Sequence, residues 1–336
     1  IKFRLMAIIQ KSILSNFKII TLAVLLLISF TYSGNICARG IESKVKTIVI
    51  DAGHGGKDPG ACGAVYYEKD VVLPVALRLG RLIEEGMPEV KVLYTRKKDV
   101  FVELHERSKI ANDAKADLFI SIHANAGRVG DRESNGYETL VMGRKTQENM
   151  EIVMRENSVI KYEDDYEQKY EEFYSDSPEA DIIFSLMQST FQEKSIKFAE
   201  FVQKEFAGGP IELDRGLKQG ALIVLYRTAA PSAIIEIGFI SNISEEQKLV
   251  EAENQQKIAE SIYKAVLKYR NYIDGINNEP TDSENINTQN NNVLVFENSN
   301  QKDNGTDIIN TDNAQKEPVN NSTQNSQPKK YKWITE

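Results

Sequence analysis

Cysteine is nearly missing from these 336 residues: there are two, Cys37 and Cys62. So few thiols exclude a disulfide scaffold or a cysteine-built metal cluster as the basis of the fold. Positive charge is also in short supply. The 41 lysines and arginines against 49 aspartates and glutamates leave a formal net charge of -8, which offers no basic face to nucleic acid. The apolar run from Ile19 to Phe30 is shorter than the ~20 residues that a membrane span requires. It suits the core of an export signal instead, because Lys2, Arg4, Lys11 and Lys18 precede it and small residues follow. Residues 1–38 are therefore expected to be a signal peptide cut after Ala38, leaving no stable membrane span; an uncleaved anchor is the alternative. Cleavage leaves Cys62 alone, so no intrachain disulfide is expected even in an oxidising compartment. Cys62 is expected to fill a small space in the Gly60–Gly63 turn; a thiolate ligand eight residues after His54 is the alternative.

What is present includes 41% hydrophobic residues, enough for a sizeable core, though unevenly spread. Residues 275–336 are dominated by Asn, Gln, Ser, Thr and Asp and are expected to be a disordered, low-complexity tail. The apolar patch Val293–Phe296 and the basic, aromatic end after Pro328 lie within it.

Histidine is scarce, and its placement carries the most information. His54 follows the apolar run Thr47–Ile50 in Asp51-Ala52-Gly53-His54-Gly55-Gly56. The flanking glycines strip away side-chain bulk and let a ligand approach the backbone. His123 repeats the setting at the end of Leu118-Phe119-Ile120-Ser121-Ile122. A lone histidine is usually an ordinary polar residue, but two at strand ends lie where open α/β sheets bind ligands. Glu68 stands at the start of a helix, and Glu236 ends a third apolar run, Ser232–Ile235. A charge ending such a run is costly to bury without a cation or a hydrogen-bonded partner. Two imidazoles and a carboxylate with one open position form the ligand set of a catalytic zinc, and a further carboxylate can act as base. His105 falls within a helix and is read as a structural or surface residue.

The segments Val49–Ala61, Glu68-Lys69-Asp70, Ser121–Asn125 and Glu236–Asn242, in this order and spacing, resemble the zinc-dependent N-acetylmuramoyl-L-alanine amidases of bacterial peptidoglycan. The resemblance covers roughly residues 46–270 and implies one zinc held by His54, Glu68 and His123, with Glu236 as the catalytic carboxylate. It also implies a periplasmic or cell-envelope enzyme of wall remodelling and daughter-cell separation. Asn125 and Asn242 match positions beside the metal, where they would orient neighbours; Asn125 is also expected to contact substrate. The resemblance puts Arg215 and Lys218, in a loop leading to the Glu236 strand, beside the groove, where they are expected to meet the peptide carboxylates of the substrate; a solvated surface turn is the alternative.

A single α/β domain with a mixed sheet flanked by helices is expected over residues 45–272. Its helices are expected at 70–85, N-capped by Asp70 with Pro74 in the first turn, at 102–114, and at 244–269, N-capped by Ser244. Strands are expected at 90–95, 136–142 and from 220 to 226, the last opening a strand pair with the Glu236 strand. The stretch 146–206 reads as a helical insertion in which Tyr162, Tyr166, Tyr170 and Phe173 share one helical face. The resembling subgroup carries an inserted helix that puts a glutamate on the zinc until an activator protein displaces it. Glu156 is the first candidate for that glutamate, followed by Glu163 and Glu167. Two other readings remain: a wall-binding protein without catalysis, and a zinc hydrolase of another amide.

Overall fold

The computed structural model describes residues 43–143, 149–174 and 178–276. The expected signal peptide and the tail from residue 277 lie outside these residues. Aliphatic and β-branched runs produce six strands: β1 (Thr47–Ala52), β2 (Lys91–Tyr94), β3 (Leu118–Asn125), β4 (Tyr137–Met142), β5 (Asp214–Gly220) and β6 (Ser232–Phe239). They form one sheet in the order β2-β1-β3-β6-β4-β5. β4 runs antiparallel to β6, and the other neighbouring pairs are parallel. β3 and β6 are buried along their whole length, as continuous apolar strands covered on both faces must be. From β1 the chain steps outward to β2 and then returns to β3 on the other side, so the sheet order reverses between β1 and β3. Such a reversal opens a crevice at the carboxyl ends of the strands.

Nine helices among the described residues flank the sheet: α1 (Glu68–Gly86), α2 (Leu104–Asp113), α3 (Met150–Asn157), α4 (Tyr166–Lys169), α5 (Glu171–Tyr174), α6 (Pro178–Phe206), α7 (Ile223–Tyr226), α8 (Ile243–Val250) and α9 (Ala252–Asp274). A 3-10 turn, Ser158–Tyr162, joins α3 to α4. Val71, Leu79 and Ile83 of α1, Phe198 and Val202 of α6, and Ile258 and Ile262 of α9 share the main core with Ile48, Ile120 and Ile235 of the sheet. None of the described helices is long and apolar enough to cross a membrane.

Several elements differ from the sequence expectation. α1 begins two residues early, at Glu68, and Asp70 is its third residue, accepting a hydrogen bond from the Tyr67 N–H at 3.2 Å. Pro74 therefore lies in the second turn. The strand expected at 220–226 is displaced: polar Asp214–Gly220 forms β5 at the sheet edge, and apolar Ile223–Tyr226 is a buried helical turn. An edge strand pairs through its backbone and tolerates polar side chains, so apolar content misplaced the element. β5 pairs with β4, not with β6. The closing helix is two helices broken at Glu251, and Asn242 rather than Ser244 caps the first, accepting from the N–H groups of Ser244 and Glu245. The tyrosine-rich stretch is two four-residue helices instead of one amphipathic helix. Asp165 before them adopts a left-handed φ of 56°; Tyr170 and Phe173 are buried while Tyr162 is exposed. The C-terminal part of α6 belongs to the main core. Cys62 is exposed and does not fill a gap.

Candidate metal centre

β1 and β3 flank the crevice, and each delivers an imidazole to it. His54 follows β1 in a left-handed conformation, φ 58°, that a non-glycine residue adopts only when its surroundings hold it there. Two buried arginines do the holding. Arg107 donates to the carbonyls of Ala52 and His54 (both 2.8 Å), and Arg96 to those of Ala52 (2.9 Å) and Gly53 (2.7 Å). Glycine permits the convergence: a Cβ on Gly53 would lie 2.5 Å from the His123 ring, and one on Gly60 would lie 2.7 Å from both Glu68 Oε2 and the His54 ring. Glu68, the first residue of α1, is fully buried and fixed by the N–H groups of Ala61 and Ala124, each 2.9 Å from one of its oxygens.

The three residues expected as ligands meet, together with Glu156 of α3. One ligand atom from each of His54, Glu68, His123 and Glu156 lies within 4.8 Å of every other. His54 Nε2 is 3.0 Å from Glu68 Oε2 and 3.5 Å from Glu156 Oε2; His123 Nδ1 is 3.0 Å from Glu68 Oε1 and 2.8 Å from Glu156 Oε2. A tetrahedral ion with bonds of ~2.0–2.1 Å separates its ligand atoms by roughly 3.3 Å. His54 Nε2 and Glu156 Oε2 are buried and close to other polar atoms, yet they have no hydrogen-bond partner among the described residues. His54 Nδ1, on the far side of the ring, faces Asp58 Oδ2 at 2.7 Å. A carboxylate there fixes the tautomer that turns Nε2 inward.

Charge reinforces the geometry. Burial alone would drive protons off the imidazoles, but the carboxylates of Glu68, Asp58 and Glu156 outweigh it at His54, whose pKa is raised well above normal. At His123, Glu156 and Glu68 outweigh burial in the same way and lift the pKa to about 10. Burial would raise Glu68, yet His54 and His123 lower it to about 2. Glu156 likewise falls well below normal, with His123 overcoming burial. A pocket that draws protons onto two buried imidazoles is a pocket built for positive charge.

Glu236 is paired in register with His123 across β3 and β6, one strand away from the cluster. Both its oxygens are buried without a hydrogen-bond partner among the described residues, and Arg155 Nη2 is 3.8 Å from Oε1. Burial and the negative charge of Glu156 push its pKa well above normal.

The remaining residues named from sequence divide. Asn125 donates to Glu138 Oε1 and accepts from Arg155. Arg215 and Lys218 lie on strand β5, not on a loop, and both pair with Glu138 Oε2. Asn242 is the α8 cap. Glu163 is buried away from the cluster, accepting from the Leu104 N–H (2.8 Å) and the Tyr170 hydroxyl (2.7 Å), and Glu167 is exposed. His105 is half-buried among Glu103, Glu106 and Glu163. Sequence reasoning missed Asp58, Arg96, Arg107 and Glu138. Asp58 had a signal, a carboxylate four residues from His54 in the same loop; the other three looked like ordinary charged residues.

A mixed sheet with a buried His/Glu group at the ends of its parallel strands defines an open α/β protein able to hold a divalent metal for hydrolysis. More particularly, the chain belongs to the N-acetylmuramoyl-L-alanine amidase family, Amidase_3, whose model matches residues 48–268. It is similar to the N-acetylmuramoyl-L-alanine amidase AmiC of Escherichia coli O6:H1, 35% identical over 237 residues that cover 66% of this chain and 52% of that protein. It is also similar to the probable amidase AmiB of Haemophilus influenzae, 32% identical over 252 residues that cover 71% of this chain and 54% of that one. The chain thus spans about half the length of these two curated relatives. Among solved structures, the N-acetylmuramoyl-L-alanine amidase of Clostridium difficile 630 superposes with a TM-score of 0.50 at 27% identity, over 68% of this chain and 97% of that one.

Proposed function

We propose that this chain is a zinc-dependent N-acetylmuramoyl-L-alanine amidase, hydrolysing the amide between the lactyl group of N-acetylmuramic acid and L-alanine in peptidoglycan. One observation carries the reading: His54, Glu68 and His123 converge on a common centre one strand from the buried Glu236. The donor set, two imidazoles and a carboxylate buried within reach of one point, suits zinc. Bound there, zinc would supply a Lewis acid for the scissile carbonyl and would acidify a water to near-neutral pKa.

The chain's own residues do the rest. Asp58 holds His54 in one tautomer, and the amides of Ala61 and Ala124 keep Glu68 from swinging away. Glu236 accepts the proton of the attacking water on a carboxylate oxygen and passes it to the departing nitrogen of L-alanine.

Glu156 of α3 takes the fourth position and so closes the site. An activator protein that binds only the open arrangement would release it. The catalytic domain spans residues 45–272, and the segment at 146–206 carries this control. The basic and apolar pattern of residues 2–30 supports export, which puts the enzyme in the cell envelope, acting in wall remodelling and daughter-cell separation.

The test is mass spectrometry of purified murein digested by the zinc-loaded full chain. The expected products are intact muramic acid and stem peptides with a free L-alanine amino terminus. Cuts inside the stem would reassign the enzyme to another amide. Glu236→Ala should lose turnover by ~10²–10⁴-fold while keeping its zinc; loss of zinc as well would move Glu236 among the ligands.

A further inference from the structure

A cavity of about 350 Å³ is walled by Asn125, Glu138, Arg215, Lys218 and Phe239 on the sheet side and by Arg155, the neighbour of Glu156, on the α3 side. Glu138 of β4 lies in its wall. Glu138 is 2% exposed, and it stands opposite Glu236 in the β4–β6 ladder as Glu236 stands opposite His123 in the β6–β3 ladder. The three residues form one row across the sheet, each about 4.8 Å from the next strand.

A buried carboxylate needs a partner, and one cation would balance its charge. Glu138 has two. Lys218 Nζ is 2.6 Å from Oε2 and Arg215 Nε is 3.4 Å from the same atom, while Asn125 Nδ2 donates to Oε1 at 2.5 Å. Arg215 is further located by the Phe239 ring, 5.0 Å from its guanidinium carbon, and by the Asn135 carbonyl at 3.3 Å. The group carries one positive charge in excess. Both cation side chains keep part of their surface open, 24% for Lys218 and 33% for Arg215.

We infer that Arg215 and Lys218, held in place by Glu138, form a receptor for the free α-carboxylate of the stem residue that follows the scissile L-alanine. This deepens the amidase reading and rests on it. Distance selects that residue. Consecutive Cα atoms are 3.80 Å apart, so its carboxylate lies within about two strand spacings of the reacting carbonyl, the separation of Glu138 from the His123 strand. In an extended stem, carboxylates further along lie beyond that distance. Glu138 is a positioning residue: it fixes two cationic heads and leaves their surplus charge for the substrate. The receptor distinguishes stems whose second residue is a free acid from stems in which that α-carboxylate is amidated, because the amide brings no charge and turns an N–H₂ toward two donors.

The test uses the zinc-loaded full chain carrying Glu156→Ala, so that the fourth position is open, and two synthetic substrates. These are N-acetylmuramoyl-L-alanyl-D-glutamate linked onward through its γ-carboxyl, and the same compound with the α-carboxamide. The free acid should be preferred by at least about tenfold in kcat/KM, the difference lying in KM. Lys218→Met should reduce the preference to near unity, and Glu138→Gln should do the same by raising KM for the acid alone. Equal kcat/KM for the two substrates before either substitution would overturn the receptor and leave the amidase standing. A preference that survives Lys218→Met would overturn the assignment of these residues. Failure to cleave either substrate would remove the amidase reading and the receptor with it.

Discussion

Asp58 shows how much of the candidate centre depends on a residue that never faces it. Its carboxylate takes the outer nitrogen of His54 at 2.7 Å and thereby aims the inner one. Asp58→Asn keeps the shape but weakens that hold, and zinc affinity is expected to fall ~10–100-fold, measured by competition with a chromophoric chelator. Unchanged affinity would mean that the loop alone orients the ring. The four residues assigned to ligation and proton transfer were legible in the sequence because each combines an unusual residue type with an apolar run or a helix start. Glu138, Arg96 and Arg107 were not legible. Nothing local distinguishes a buried charge from a solvated one when its partners are backbone carbonyls and side chains 40 to 80 positions away.

Among the elements, α2 and the inserted segment depend on each other. α2 has no side-chain cap of its own. Its first two free amides, Leu104 and His105, donate instead to Glu163 Oε1 (2.8 Å) and Tyr170 Oη (3.2 Å), both on the inserted segment. The Tyr170 hydroxyl in turn donates to Glu163, Lys169 pairs with Glu103 at 2.8 Å, and Lys57 bonds the Tyr162 carbonyl. The segment that brings Glu156 to the histidines is thus fastened at its far end to a helix start, where unsatisfied amides favour a carboxylate. Glu163→Gln should loosen that fastening and raise amidase activity several-fold without touching the four clustered residues, and deleting residues 148–176 should raise it further. Dye release from labelled murein measures both, and equal rates for all three proteins would remove the control role. The sequence exposed the insertion and its leading glutamate, but not this fastening. Capping across 59 positions leaves no local pattern. The edge strand β5 escaped for a related reason: its stability comes from pairing with β4, while the apolar run that looked like a strand is α7.

For the molecule as a whole, the ion pair between Asp51 and Arg107 joins the site to folding stability. Asp51 is fully buried. Burial would raise its pKa, but Arg107 at 2.7 Å and the hydroxyls of Ser121 and Thr95 reverse that and lower it. A carboxyl lowered in the folded state contributes stability above its unfolded pKa of ~3.9, and that contribution disappears as pH falls through the folded value. The chain should therefore keep this part of its stability down to about pH 4 and lose it below. Asp51→Asn should shrink that loss, leaving the share carried by the lowered carboxyls of Glu68 and Glu156, and cost ~3–5 kcal/mol at neutral pH, because Arg107 is left buried without its counter-charge. Denaturant melts at stepped pH test this; a variant that still loses stability in parallel with the parent below pH 4 would assign the acid sensitivity elsewhere. Arg107 also holds the carbonyl of His54, so the same loss of order should reach the crevice.

The central claim is that residues 54, 68 and 123 grip one zinc ion. The zinc K-edge X-ray absorption spectrum of the loaded full chain tests it most directly. The spectrum should show two imidazole nitrogens and carboxylate oxygen at ~2.0–2.2 Å, with one ion per chain. A shell made only of oxygen, or one containing sulfur from Cys62 at ~2.3 Å, would contradict it.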